Sequence, residues 1–130
     1  MSKFLKLLVQ FPPLLFALVM GAQGIMWLVN PGRVTTSWGY TLPDGGLGLS
    51  SMIGTMTGYS LVVSICLFMA LFRKERFWYY PPMMIFFFLG IGRLTAALVH
   101  GAPLMPERFI VEFIITGLLY LASRYATRSA

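Results

Sequence analysis

No charged residue interrupts the chain between Lys6 and Arg33, or between Asp44 and Arg73. An apolar stretch of ~20 residues is long enough to cross the hydrocarbon of a bilayer as a helix. Lipid offers no partner for backbone N–H and C=O groups, so such a segment satisfies them internally by coiling. Two further stretches have the same character. We expect an all-α fold, a four-helix transmembrane bundle in one domain covering 1–130, with helices over about 4–30, 48–72, 78–100 and 106–123. The composition agrees: 58% of residues are hydrophobic and 11% are charged, against roughly 25% charged in soluble domains.

The ends of these segments carry their own signals. "NPG" closes the first helix, "RKER" the second and "GAP" the third. Lys3 and Lys6 precede the first segment as in a signal peptide, but its apolar part is too long and no small-residue cleavage pattern follows. It is expected to be a retained helix, with Pro12 and Pro13 kinking it or marking its start. The longest connection, about 31–47, holds Trp38, Tyr40 and the turn sequence "PDGG". It is expected to lie on the membrane surface as an extracytoplasmic loop, with a short helix or turn.

Charge sets the orientation. Lys3, Lys6, Arg73, Lys74, Arg76, Arg124 and Arg128 fall on one side, Arg33 and Arg108 on the other. Positive residues favour the cytoplasmic side, which places both termini there. The aromatic run "FWYY" at 77–80 then meets the cytoplasmic interface, and Trp27 and Trp38 meet the opposite one. The net charge of +6 is explained by topology and anionic lipid. No basic stripe with interleaved aromatics is present, so nucleic acid is not expected as a partner.

Arg93 stands inside an apolar run, "FFFLGIGRLTAALVHG", and a permanently charged guanidinium there needs an answering group. Helix rise places it ~10 Å below the outer interface, and Glu112, on the next helix running the other way, ~9 Å below it. The two are expected to pair. Gln23 and Thr55 fall near the same depth and Tyr59 slightly deeper, so a polar cluster fed by all four helices is expected: Arg93, Glu112, Gln23, Thr55 and Tyr59. It would either fix helix register or hold an anionic head group, to which arginine presents a planar fork of donors.

Small residues mark packing surfaces. Gly54 and Gly58 form a G-x-x-x-G, expected at a close helix contact within the chain or with another, and Gly90 and Gly92 precede Arg93, where small residues are expected to pack helices closely or to leave space for a ligand. Gly21 and Gly24 flank Gln23. His100, Glu107 and Arg108 are expected as polar residues of the outer interface, with Pro106 and Glu107 giving the fourth helix a favourable first turn. One histidine and one cysteine exclude multi-histidine and multi-cysteine metal sites and an internal disulfide. No phosphate loop, dinucleotide fingerprint, zinc-protease motif or nucleophile elbow is present, so neither cofactor nor catalytic residue is assigned. An enzymatic reading would rest only on His100, Glu107 and Glu112.

"GIMWLVNPG" at the end of the first segment, "GIGRLTAALVHGAP" in the third and Glu112 in the fourth resemble a family of small bacterial four-helix integral membrane proteins. The resemblance runs from about Gly24 to Arg124. It implies a four-helix layout in the bacterial inner membrane and carries no assigned activity. The layout is also similar to that of the scaffold protein of sterol synthesis, an analogy of architecture alone. The function expected from the sequence is a non-enzymatic scaffold or accessory subunit, partnered by membrane lipids and by other membrane chains or itself. The alternative is a binder or carrier of a lipid or other amphiphile through the Arg93–Glu112 cluster.

Overall fold

The computed structural model describes residues 2–125. It is all-helical: α1 (Lys3–Val29), α2 (Pro31–Trp38), α3 (Gly46–Arg73), a 3-10 turn (Arg76–Tyr79), α4 (Tyr80–Val99) and α5 (Pro106–Tyr125). Among the described residues three helical segments are long and apolar enough to cross a membrane: Lys3–Val29, Gly46–Arg73 and Arg76–Val99. α5 is less apolar, because Glu107, Arg108, Glu112 and Arg124 fall within its 20 residues. The outward faces suit lipid, with Leu18, Ile25, Leu28, Val62, Ile65 and Phe88 all exposed. Arg128, one of the charges that set the expected orientation, lies outside the described residues.

α1 runs unbroken through Pro12 and Pro13, so neither proline marks its start. Ser2 caps its first turn by accepting from the Leu5 N–H at 3.2 Å. The expected surface loop is partly helical, since α2 occupies Pro31–Trp38. Asn30 ends α1 and caps α2, its side chain accepting from the Arg33 N–H at 3.3 Å, and Pro31 fits the first helical position. Gly39, at φ 74°, stops α2 in the left-handed region that favours glycine. The next residue, Tyr40, donates its N–H back to the Thr35 carbonyl at 2.9 Å. The "WGY" sequence thereby fixes where the Tyr40 side chain leaves the turn.

The helices form two tight antiparallel pairs, α1 with α3 and α4 with α5. Lipid gives helices no hydrophobic drive to associate, so close packing and interhelical hydrogen bonds must hold them. In the first pair Ser64 Oγ donates to the Ala17 carbonyl at 2.7 Å. A Cβ on Gly24 would stand 2.6 Å from Leu61 Cδ2, so the glycine is what lets Leu61 seat there. In the second pair Gly90 lies under the Phe113 ring, with a hypothetical Cβ at 2.8 Å. The two pairs close on a core of Ala17, Val63, Leu67, Ala70, Tyr79, Phe86, Leu119 and Ala122. This is the end that carries the 3-10 turn, where Arg76 Nε donates to the Ser123 carbonyl at 3.2 Å. A cation suits that last turn of α5.

Gly54, Gly58 and Gly92 do not make the expected packing contacts within the chain. A Cβ at any of them would meet nothing within 4 Å. Gly54 and Gly58 sit on an exposed face of α3, and Gly92 faces a cavity. The close-contact glycines are Gly21, Gly24 and Gly90.

Candidate functional site

At the end opposite the core the helix pairs diverge around a cavity of about 1040 Å³. α1 contributes Phe16, Gln23 and Trp27, α3 contributes Thr55 and Tyr59, α4 contributes Ile85, Phe86 and Arg93, and α5 contributes Arg108, Glu112 and Ile115. Trp38 and Tyr40 border it from α2 and the turn that follows. The volume is at the top of the range for small-molecule sites, and the lining is mostly apolar with a few convergent polar groups. A smaller cavity of about 420 Å³ shares Gln23 and Trp38 and adds Arg33.

Arg93 and Glu112 pair as their depths predict. Arg93 Nε donates to Glu112 Oε1 at 2.7 Å. The carboxylate is the more enclosed partner, its side chain 11% accessible against 33% for Arg93. Its second oxygen, Oε2, is shut off from solvent and accepts no hydrogen bond. Glu112 therefore faces Arg93 and holds it, while the guanidinium looks out toward the cavity.

A second arginine joins through Tyr40. Arg93 Nη2 donates to the Tyr40 hydroxyl at 3.4 Å, and Arg108 Nη1 donates to the same oxygen at 3.0 Å. Two guanidinium donors occupy the acceptor side of that oxygen, so its own O–H hydrogen is left to donate elsewhere. Arg108 Nη2 donates to the Trp38 carbonyl at 2.6 Å. Its guanidinium carbon lies 5.6 Å from the Trp38 ring centre and 5.2 Å from that of Tyr40, within cation–π range.

The expected cluster is thus only partly joined. Gln23, Thr55 and Tyr59 border the same cavity but make no hydrogen bond to Arg93 or Glu112 among the described residues. His100 is exposed and outside the cavity lining, whereas Glu107 is exposed at its edge. Tyr40 is the residue of this cluster that depth arithmetic misses, because it leaves a turn and not a spanning helix. The signal that could have found it is the αL stop at "WGY", which aims the residue after Gly39 back over the helix ends. Cys66 is buried and free, and no cluster of metal-ligating side chains exists among the described residues.

These features define a helical membrane protein with an apolar cleft and an arginine-rich polar end. No protein-family model, curated protein or solved structure matches the chain.

Proposed function

We propose that the protein binds an amphiphile in the cleft between its two helix pairs. The polar head would meet Arg93, Tyr40 and Arg108, and the apolar chain would run toward Phe16, Ile85, Phe86 and Ile115. The supporting observation is the continuity of one cavity from a guanidinium cluster to an aromatic and aliphatic floor. Intramembrane ionisable residues are costly, at least about 2.5–3.5 kcal/mol each at mid-bilayer, and a ligand head group is one reason to keep them. In this reading α5 is a fourth membrane-crossing helix, both termini are cytoplasmic and the membrane is the bacterial inner membrane. The resemblance to small bacterial four-helix membrane proteins belongs to the same proposal.

Trp27 and Trp38 border the cavity and Trp78 does not, so tryptophan fluorescence tests the reading. The protein in phosphatidylcholine nanodiscs is titrated with a single-chain amphiphile carrying a doxyl quencher. Saturable quenching, reversed by an unlabelled competitor, is expected. Quenching that rises in proportion to the probe and resists competition would show only bulk lipid contact and would end the proposal.

A second reading, a scaffold or accessory subunit, has one observation in its favour. Gly54 and Gly58 leave an open groove on an exposed face of α3, and such spacing admits the close approach of a helix from another chain.

A further inference from the structure

Charge balance within the polar end narrows the chemistry of the head group. Arg93 is already neutralised by Glu112 at 2.7 Å. Arg108 is not: among the described residues no carboxylate lies within ion-pair distance of it, and its partners are a hydroxyl, a carbonyl and two rings. Its sequence neighbour Glu107 borders the cavity but is exposed to solvent and makes no ion pair with it. Arg108 also stands in the first turn of α5, where the helix dipole disfavours a cation. Local helix chemistry gives no reason for an arginine at that position. In the half-buried part of the site Arg108 is therefore a cation without an ion-pair partner, and the Tyr40 O–H hydrogen is a further donor beside it.

Resting on the amphiphile reading above, we infer that the ligand is a monoanionic amphiphile, a single negative head group on an apolar chain, and that Arg108 is the residue that selects for the charge. A carboxylate or a phosphodiester meets this requirement, because each presents oxygens to the guanidinium fork and the Tyr40 hydroxyl together. A dianionic phosphomonoester would leave one charge unanswered beside the enclosed Glu112, whose like charge repels it. A neutral or zwitterionic head group would leave Arg108 without a net counter-charge. Glu112 is a positioning residue here, since its outer oxygen is closed to the cavity and its other oxygen holds Arg93.

The test uses the same nanodiscs and the doxyl competition, with ligands of one chain length. Oleate and oleoyl-lysophosphatidylglycerol are the monoanions, monoolein is neutral and oleoyl-lysophosphatidylcholine is zwitterionic. Acetate supplies an anion without a chain. Both monoanions are expected to compete about tenfold or more better than monoolein and the zwitterion, the scale of one charge-assisted hydrogen bond, and acetate is expected not to compete. In Arg108→Gln the ratio should fall toward one, while Arg108→Lys should keep a ratio above one. Equal competition by all the oleoyl ligands would overturn the charge assignment and leave the amphiphile reading standing. No competition by any of them would overturn the amphiphile reading itself. Competition by acetate as strong as by oleate would make the site an anion site without a chain channel. The comparison of ligands on the unaltered protein decides the matter even if a variant fails to fold.

Discussion

Breaking the Arg93–Glu112 pair should be strongly asymmetric, and the asymmetry follows from burial. Replacing Arg93 by Ala leaves a carboxylate that is 11% accessible with its only hydrogen-bond donor removed. Stranding a buried charge costs about 3–5 kcal/mol. Replacing Glu112 by Ala leaves a guanidinium that is one-third accessible, borders the cavity and still has Tyr40 as an acceptor. That loss should be about 1–3 kcal/mol, the scale of one hydrogen bond to a charged group. Glu112→Gln is milder still. Its amide oxygen can take the place of Oε1, and its amino group falls where Oε2 has no partner already. Only charge assistance is lost, about 1 kcal/mol. Removing both charges with Arg93→Met and Glu112→Leu should restore most of the loss seen in Arg93→Ala, because buried pairs replaced by apolar groups are often neutral in stability. The measurement is reversible unfolding in mixed micelles followed by circular dichroism, with the Arg93→Ala/Glu112→Ala double variant closing a double-mutant cycle. The expected order of damage is Arg93→Ala, then Glu112→Ala, then Glu112→Gln. Equal losses for the two alanine variants, or no coupling in the cycle, would refute the burial argument.

Two other outcomes are expected. Gly90→Val should destabilise by about 1–3 kcal/mol, since its Cβ would stand 2.8 Å from the Phe113 ring, whereas Gly54→Val, with open space around it, should change monomer stability by less than about 0.5 kcal/mol; cross-linking yield across a Gly54→Val series then reports directly on the second, multi-chain reading. In a Cys66→Ala background, an impermeant maleimide added to intact cells should label Asp44→Cys and spare Ser2→Cys, and the opposite pattern would reverse the proposed orientation.

The contrast between Gly54 and Gly24 shows what a membrane sequence discloses and what it withholds. Depth is legible, because each residue adds a fixed rise along an axis tied to the membrane, and this is why Arg93 and Glu112 could be matched across two helices. Rotation about that axis is not legible until the neighbouring helix is known. Gly54 and Gly58 have the spacing of a contact motif, yet they face outward, while Gly24, with no such motif, lies against Leu61. Gln23, Thr55 and Tyr59 show the same limit: they sit near the right depth but turn toward the cavity without reaching the ion pair. Tyr40 fails for another reason, since the path of a turn depends on where an αL glycine sends the chain and not on periodicity. The three longest apolar segments were legible outright, because length and lack of charge alone define them.

The position of the cleft follows from how the helix ends are joined. At one end the 3-10 turn from Arg76 to Tyr79 ties α3 to α4 within a few residues, buries Tyr79, and lets Arg76 bind the end of α5. That end closes on a packed core. At the other end α1 is joined to α3 through α2 and a glycine-rich turn, and α4 to α5 through the non-helical residues 100–105. Both of these connections join helices within a pair, so no chain segment ties one pair to the other at this end, and the cavity with Arg93, Arg108 and Glu112 opens there. A buried ion pair is a poor device for holding helices together, because desolvation offsets most of its attraction. The α4–α5 contact already has Gly90 seated under Phe113, and α1–α3 has Ser64 on the Ala17 carbonyl. Packing therefore accounts for the bundle without Arg93, Arg108 or Tyr40. What packing leaves unexplained is their convergence on one apolar cavity, and occupancy of that cavity by a charged amphiphile would give all three a common purpose.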